Sequence, residues 1–93
     1  MTLADLQHGM EVRYRLGRAG PNNVVWQEWD TSTLYLRRRE KVLKRSNYPN
    51  VGDITELVIE GTGWASYTQS DYCGNGVFSA EDYYLEIEGM DNL

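Results

Sequence analysis

Groups able to do covalent chemistry are scarce in this chain. His8 is its sole histidine and Cys73 its sole cysteine. A nucleophile needs a base held beside it, and no motif ties a hydroxyl or thiol to His8. His8 closes a short helical segment next to Gly9, where a structural or solvated role is expected. Cys73 stands in a glycine turn with acidic neighbours and no nearby base, surroundings unsuited to a thiolate nucleophile. Carboxylates do occur in pairs, Glu81 with Asp82 and Glu86 with Glu88. Acids on the outer face of a strand are more simply solvated groups than a general acid and base. Zinc calls for several thiolates or imidazoles. Asp71, Asp82 and Glu86 carry oxygen ligands for a hard cation, yet Asp71-Tyr-Cys-Gly-Asn-Gly76 lacks the alternating ligands of an EF-hand. The expectation is a protein without catalytic residues, metal or cofactor.

Binding chemistry is better represented. Arg13 and Arg15 occupy alternate positions of one strand and so share a face. Beside the run Arg37-Arg38-Arg39, with Trp26, Trp29 and Tyr35 near in sequence, they describe a basic, aromatic surface. Arg13, Arg15, Arg37 and Arg39 would take phosphate through their planar forks, while a ring of Trp26, Trp29 or Tyr35 stacks on a base. The alternative is an outer face neutralised by the chain's own carboxylates. The Gly-x-Gly pairs at 61/63 and 74/76 have no following helix or lysine and read as tight turns.

Charge is unevenly distributed along the chain. Residues 1–45 hold nine basic and five acidic side chains, whereas 46–93 hold nine acidic and no basic ones. This asymmetry predicts one basic and one acidic face, each able to steer a charged partner. On the acidic side, Glu56, Glu60, Asp71, Asp82, Glu86 and Glu88 would imitate a phosphate backbone and occupy a basic groove on another protein. A net charge of −5 argues against direct DNA binding, which requires many phosphates to be neutralised.

The elements that must carry these groups are short strands. Thr2 to Gly9 reads as one helical turn with Thr2 as N-cap, Leu3 and Leu6 on one face, and Gly9 as the left-handed exit. Met10 to Leu16 alternates apolar and charged, a half-buried strand. Gly17 to Asn23 is dense in turn formers and reads as a loop. Val24 to Trp29 is the second strand, with Trp29 facing away from Trp26; Asp30-Thr-Ser is a turn, and Thr33 to Arg38 returns. Residues 41–53 read as a long loop. Ile54 to Glu60 and Trp64 to Tyr67 follow as strands, then Asn75-Gly76 as a turn pair. Ser79 to Asp82 has capping-box spacing, and Tyr83 to Glu88 closes with Tyr83, Leu85 and Ile87 inward. The fold class is mainly β: a single domain over 1–93, a half-open barrel or strongly bent antiparallel sheet of five to six strands with one N-terminal helical turn.

A chain this short buries a modest core, so a homo-oligomer is an expected partner. One cysteine fits a reducing compartment, and neither a signal peptide nor an apolar membrane span is present, so a cytoplasmic location is expected.

Three stretches, Leu6-Gln-His-Gly-Met-Glu-Val-Arg-Tyr-Arg15, Gly63-Trp-Ala-Ser-Tyr-Thr-Gln-Ser-Asp-Tyr72 and Phe78-Ser-Ala-Glu-Asp-Tyr-Tyr-Leu-Glu-Ile87, resemble a family of short phage proteins. Those proteins counter the Thoeris defence system by sequestering a cyclic ADP-ribose-type signal, and they assemble as oligomers with ligand pockets between subunits. The likeness covers residues 3–15 and 63–87. Trp26 follows the first arginines after a longer loop than the family's tryptophan does, Cys73 to Val77 looks like an insertion, and the family's closing Asp-Trp is Asp82-Tyr83. Separately, the pattern from Gly9 to Arg38 resembles the opening of SH3-like or Tudor-like barrels. The resemblances imply a protein that works by occupancy. Its partner would be a small phosphorylated nucleotide, or a host defence protein whose basic nucleic-acid groove it blocks; a phage structural or adaptor module is the third reading.

Overall fold

In the computed structural model, which describes residues 1–40, 53–68 and 70–91, the alternation that begins at Glu11 governs the architecture. Strand β1 (Glu11–Ala19) turns Val12 and Tyr14 into the core and Glu11 and Arg13 outward. On one side it pairs antiparallel with the last strand, β8 (Tyr83–Ile87), so that Tyr14 meets Ile87 and Leu16 meets Leu85. On the other side it pairs first with β3 (Asp30–Glu40) and then with β2 (Val24–Trp26). β3 is long enough to change partner. Its first residues lie on β1, and Leu34 to Glu40 lie on β4 (Asp53–Ile59).

Two hairpins complete the sheet. β4 turns through Gly61 and Gly63, both at positive φ, into β5 (Trp64–Tyr67). β6 (Tyr72–Gly74) and β7 (Val77–Ala80) are joined by Asn75-Gly76, with φ of 53° and 81°. That pair of positive values is what a two-residue turn of matching twist demands, and Asn-Gly supplies it at little steric cost. The order across the sheet is β5-β4-β3-β1-β8-β7-β6, with β2 beside β1. Because β5 lies against β7, the sheet curls into a nearly closed barrel. Leu34, Leu57, Ile59, Phe78, Leu85 and Ile87 fill its interior and are fully buried. Each contributes about 1.5–3 kcal/mol of burial.

Among the described residues eight strands stand where five or six were anticipated, and the differences have local causes. Gly17 to Ala19 is strand, not loop: it continues β1 and pairs with β2, leaving only residues 20–23 as the turn. Asp30 to Ser32 is strand too, paired with β1 rather than turning back on Val24 to Trp29. Ser79 belongs to β7, and the β7–β8 turn is Glu81-Asp82 with Glu81 at φ 57°, so no capping box forms there. The loop anticipated over 41–53 lies, up to residue 52, outside the described residues. The N-terminal turn is a 3₁₀ helix over Leu3–Asp5. Asp5 Oδ2 accepts from Thr2 N–H at 2.8 Å and from its hydroxyl at 3.2 Å, which holds the Asp5 carboxyl below its ordinary range. His8 Nδ1 lies 3.0 Å from both the N–H and the carbonyl oxygen of Leu36, so that either tautomer gives the β3 edge a side-chain partner. Among the described residues no helix is long and apolar enough to cross a membrane.

Tyr14 offers a solution check on the β1 register. Burial, and then the Asp30 carboxylate paired across from it, raise its phenol above the ordinary tyrosine value. The raised value means its stabilising effect is complete below pH ~10 and is lost as pH climbs through the folded-state value. Spectrophotometric titration of the seven tyrosines should therefore show a late-ionising phenol that Tyr14→Phe removes.

Candidate functional site

The residues singled out in the sequence divide between two places. On the outer face of β1, the chain from Trp26 to Asp30 gains one residue on its partner. Gly17 pairs with Trp26 and Tyr14 with Asp30, so Gln27, Glu28 and Trp29 span only Arg15 and Leu16. Such a bulge reverses the parity of the strand beyond it. Trp29 is thereby returned to the face of Trp26, where an unbroken strand would set the two on opposite sides. Arg15 fills the space between them, its guanidinium carbon 4.5 Å from the Trp26 ring centre and 4.7 Å from that of Trp29. Arg13 lies 5.5 Å over Trp29. Gly17 leaves the clearance for this stack, since a Cβ there would stand 2.7 Å from Trp26 Cε3 and 2.8 Å from Val24 Cγ1. Across the glycine, Trp26 meets Tyr84 edge-on at 6.3 Å.

The same face carries the acids. Arg15 and Glu86 are register partners, joined by Nη2 at 2.6 Å and Nε at 2.8 Å from one carboxylate oxygen. Arg13 Nη1 is 2.8 Å from Glu88. On the β3–β4 ladder, Arg37 Nη1 stands 3.9 Å from its partner Glu56. Among the described residues, Arg13, Arg15 and Arg37 thus each stand beside an acid of the neighbouring strand. On the β1–β8 and β3–β4 ladders, arginines of the first half of the chain meet glutamates of the second. Tyr35 is remote from the tryptophans in the sheet, its ring 5.3 Å from His8, and the Arg39 side chain lies outside the described residues. Nor do the six acids make one plate. Glu56, Glu86 and Glu88 are paired, Asp71 accepts Tyr67 N–H at 2.8 Å, and Glu60 and Asp82 remain exposed. With its fork on Glu86 and the Trp26 and Trp29 rings beside it, Arg15 is occupied by its own chain.

Arg18 and Arg38 are the arginines without an ion pair among the described residues, and Arg18 lies at a cleft. Arg18 continues the series Val12, Tyr14, Leu16 on the inner side of β1, where the barrel opens at one end. There it faces Tyr83 on β8 and Val25 on β2. A cleft of about 780 Å³ is walled by Leu16, Val25, Trp64, Tyr83 and Tyr84 together with Arg18. An adjoining lobe of about 490 Å³ shares Arg18, Val25 and Tyr83 and adds Pro21 and Asp82. Val25 and Tyr83 are 57% and 60% exposed, large apolar surface left at the cleft and not in the core. Among the described residues no carboxylate lies within 4.0 Å of Arg18. Reading residues 17–23 as loop hides this arginine. The signal that finds it is the alternation of β1 carried two residues further.

Among the described residues no cluster of histidine, cysteine and carboxylate is arranged to hold a metal ion. Set against protein-family models, curated proteins and solved structures, the chain matches none.

Two measurements test the outer face. Gly17→Ala should lower stability by about 1–3 kcal/mol in urea unfolding, as overpacking against Trp26 does. A double-mutant cycle joining Arg15→Ala and Glu86→Ala should return a coupling of about 1 kcal/mol, shrinking in high salt.

Proposed function

We propose that this protein acts by occupancy, holding a small phosphorylated nucleotide in the cleft at the open end of its barrel. The observation that carries the reading is Arg18, a guanidinium without an ion pair among the described residues, in a cleft lined mainly by aromatic and aliphatic side chains with Gln27 and Thr62 as the other polar ones. A planar base gains from burial against Tyr83, Trp64 and Leu16, and a phosphate gains a charge-assisted, fork-shaped contact. The cleft volume lies in the range of small-ligand sites.

The likeness of residues 3–15 and 63–87 to phage proteins that sequester a cyclic ADP-ribose-type signal supports the same ligand class. It suggests the setting as well: removal of a host defence signal, with no turnover. The reading of the acidic residues as a mimic of nucleic acid loses support, because Glu56, Glu86 and Glu88 spend their charge on the chain's own arginines.

Titration calorimetry with adenosine monophosphate, ADP-ribose, cyclic ADP-ribose and cyclic dinucleotides should find at least one ligand with a dissociation constant of about 1 μM or tighter, equivalent to ~8 kcal/mol. Arg18→Gln should weaken that ligand by about tenfold or more while leaving the unfolding midpoint in place. Silence across the whole panel, or wild-type affinity in Arg18→Gln, would sink the proposal.

A further inference from the structure

Arg18 and Asp82 line the same lobe of the cleft, yet they do not pair with each other. This contrasts with the neighbouring strand positions, where Arg13 and Arg15 each hold a carboxylate at 2.8 Å or less. The position of Asp82 is set by the backbone. It occupies the two-residue β7–β8 turn, and its carbonyl accepts Ala19 N–H at 2.8 Å, which ties that turn to the end of β1. Its carboxylate has no hydrogen bond or ion pair among the described residues.

A carboxylate in a lobe that receives an anion is, by itself, a repulsive element. It lowers affinity for bare phosphate, and a ligand overcomes this only by bringing hydrogen-bond donors next to its anionic group. An ionised carboxylate is an acceptor alone, with two oxygens able to take two hydroxyl donors at once. A vicinal diol beside a phosphate meets that requirement, as a ribose does, and acidic side chains hold ribose hydroxyls in this way in dinucleotide sites. The two lobes divide the ligand accordingly. The smaller, polar lobe carries Arg18 and Asp82 for the sugar and phosphate; the larger carries Trp64 and Leu16 for the base, with Tyr83 common to both.

Resting on the nucleotide reading above, we infer that Asp82 reads the ribose hydroxyls of the bound ligand, so that the cleft selects ribonucleotides over deoxyribonucleotides and over inorganic phosphate. Calorimetry on the full chain should show adenosine monophosphate or ADP-ribose bound about tenfold more tightly than its deoxy counterpart. Asp82→Asn and Asp82→Ala should each erase most of that preference by weakening the ribose form alone, and should bind inorganic phosphate more tightly than wild type does. The ribose-versus-deoxyribose comparison uses the unmodified protein and so does not depend on how a variant folds. Equal binding of the two sugars in wild type overturns the inference, as does a preference that survives both substitutions. If ribose and deoxyribose forms bind alike and Arg18→Gln abolishes both, nucleotide binding stands and the role of Asp82 falls. If no nucleotide binds, both fall together.

Discussion

The antiparallel pairing of β1 with β8 is the constraint on which the rest depends. It joins segments about seventy residues apart, Arg15 and Glu86 being separated by 71 positions. One register serves both faces at once. Inside, Tyr14 meets Ile87 and Leu16 meets Leu85; outside, Arg15 meets Glu86, with Arg13 and Glu88 joined beyond them. At the far end it sets Arg18 against Tyr83 and brings Asp82 to the end of β1. A slip of one residue would turn every side chain of the strand to the wrong side, exposing Leu85 and Ile87 and burying carboxylates. Hydrophobic burial and charge pairing thus favour the same alignment, which is the mutual support expected of a sequence with one native state.

The bulge between Trp26 and Asp30 is the second organising feature. One extra residue bends the partner of β1 and gathers two tryptophans around one arginine. Cation–π contacts of this kind are worth about 0.5–2 kcal/mol each, more where solvent is excluded. The result is a preorganised outer face whose groups satisfy one another. Such a face braces the β1–β2 hairpin, and Val25 and Arg18 on the other side of that hairpin are held in place for the cleft.

The proposed function rests on charges that the chain leaves unpaired. Arg13, Arg15 and Arg37 spend theirs within the chain, while Arg18 and Asp82 keep theirs beside an apolar hollow. Paired charges in a sheet stabilise weakly and signal little. Unpaired ones of opposite sign in a shared lobe, flanked by exposed Val25 and Tyr83, are the features on which the proposed ligand site rests.

Local pattern alone determined the β class, the burial of Val12 and Tyr14 on β1 and of Leu85 and Ile87 on β8, and the Asn75-Gly76 turn. Each is written within a few consecutive residues, as period-two alternation or a turn dipeptide. Tyr83, expected inward, is exposed, and the helical turn expected from Thr2 to Gly9 is confined to Leu3–Asp5. The strand count, the shared face of Trp26 and Trp29, the pairing of Arg13 and Arg15 with Glu88 and Glu86, and the placement of Arg18 in a cleft were decided by the tertiary structure. All four depend on which strand lies beside which, and in what register. A bulge exists only as a mismatch between two strands, and a charge is free or neutralised only by what the neighbouring strand presents. Neither is a property of any one stretch of chain.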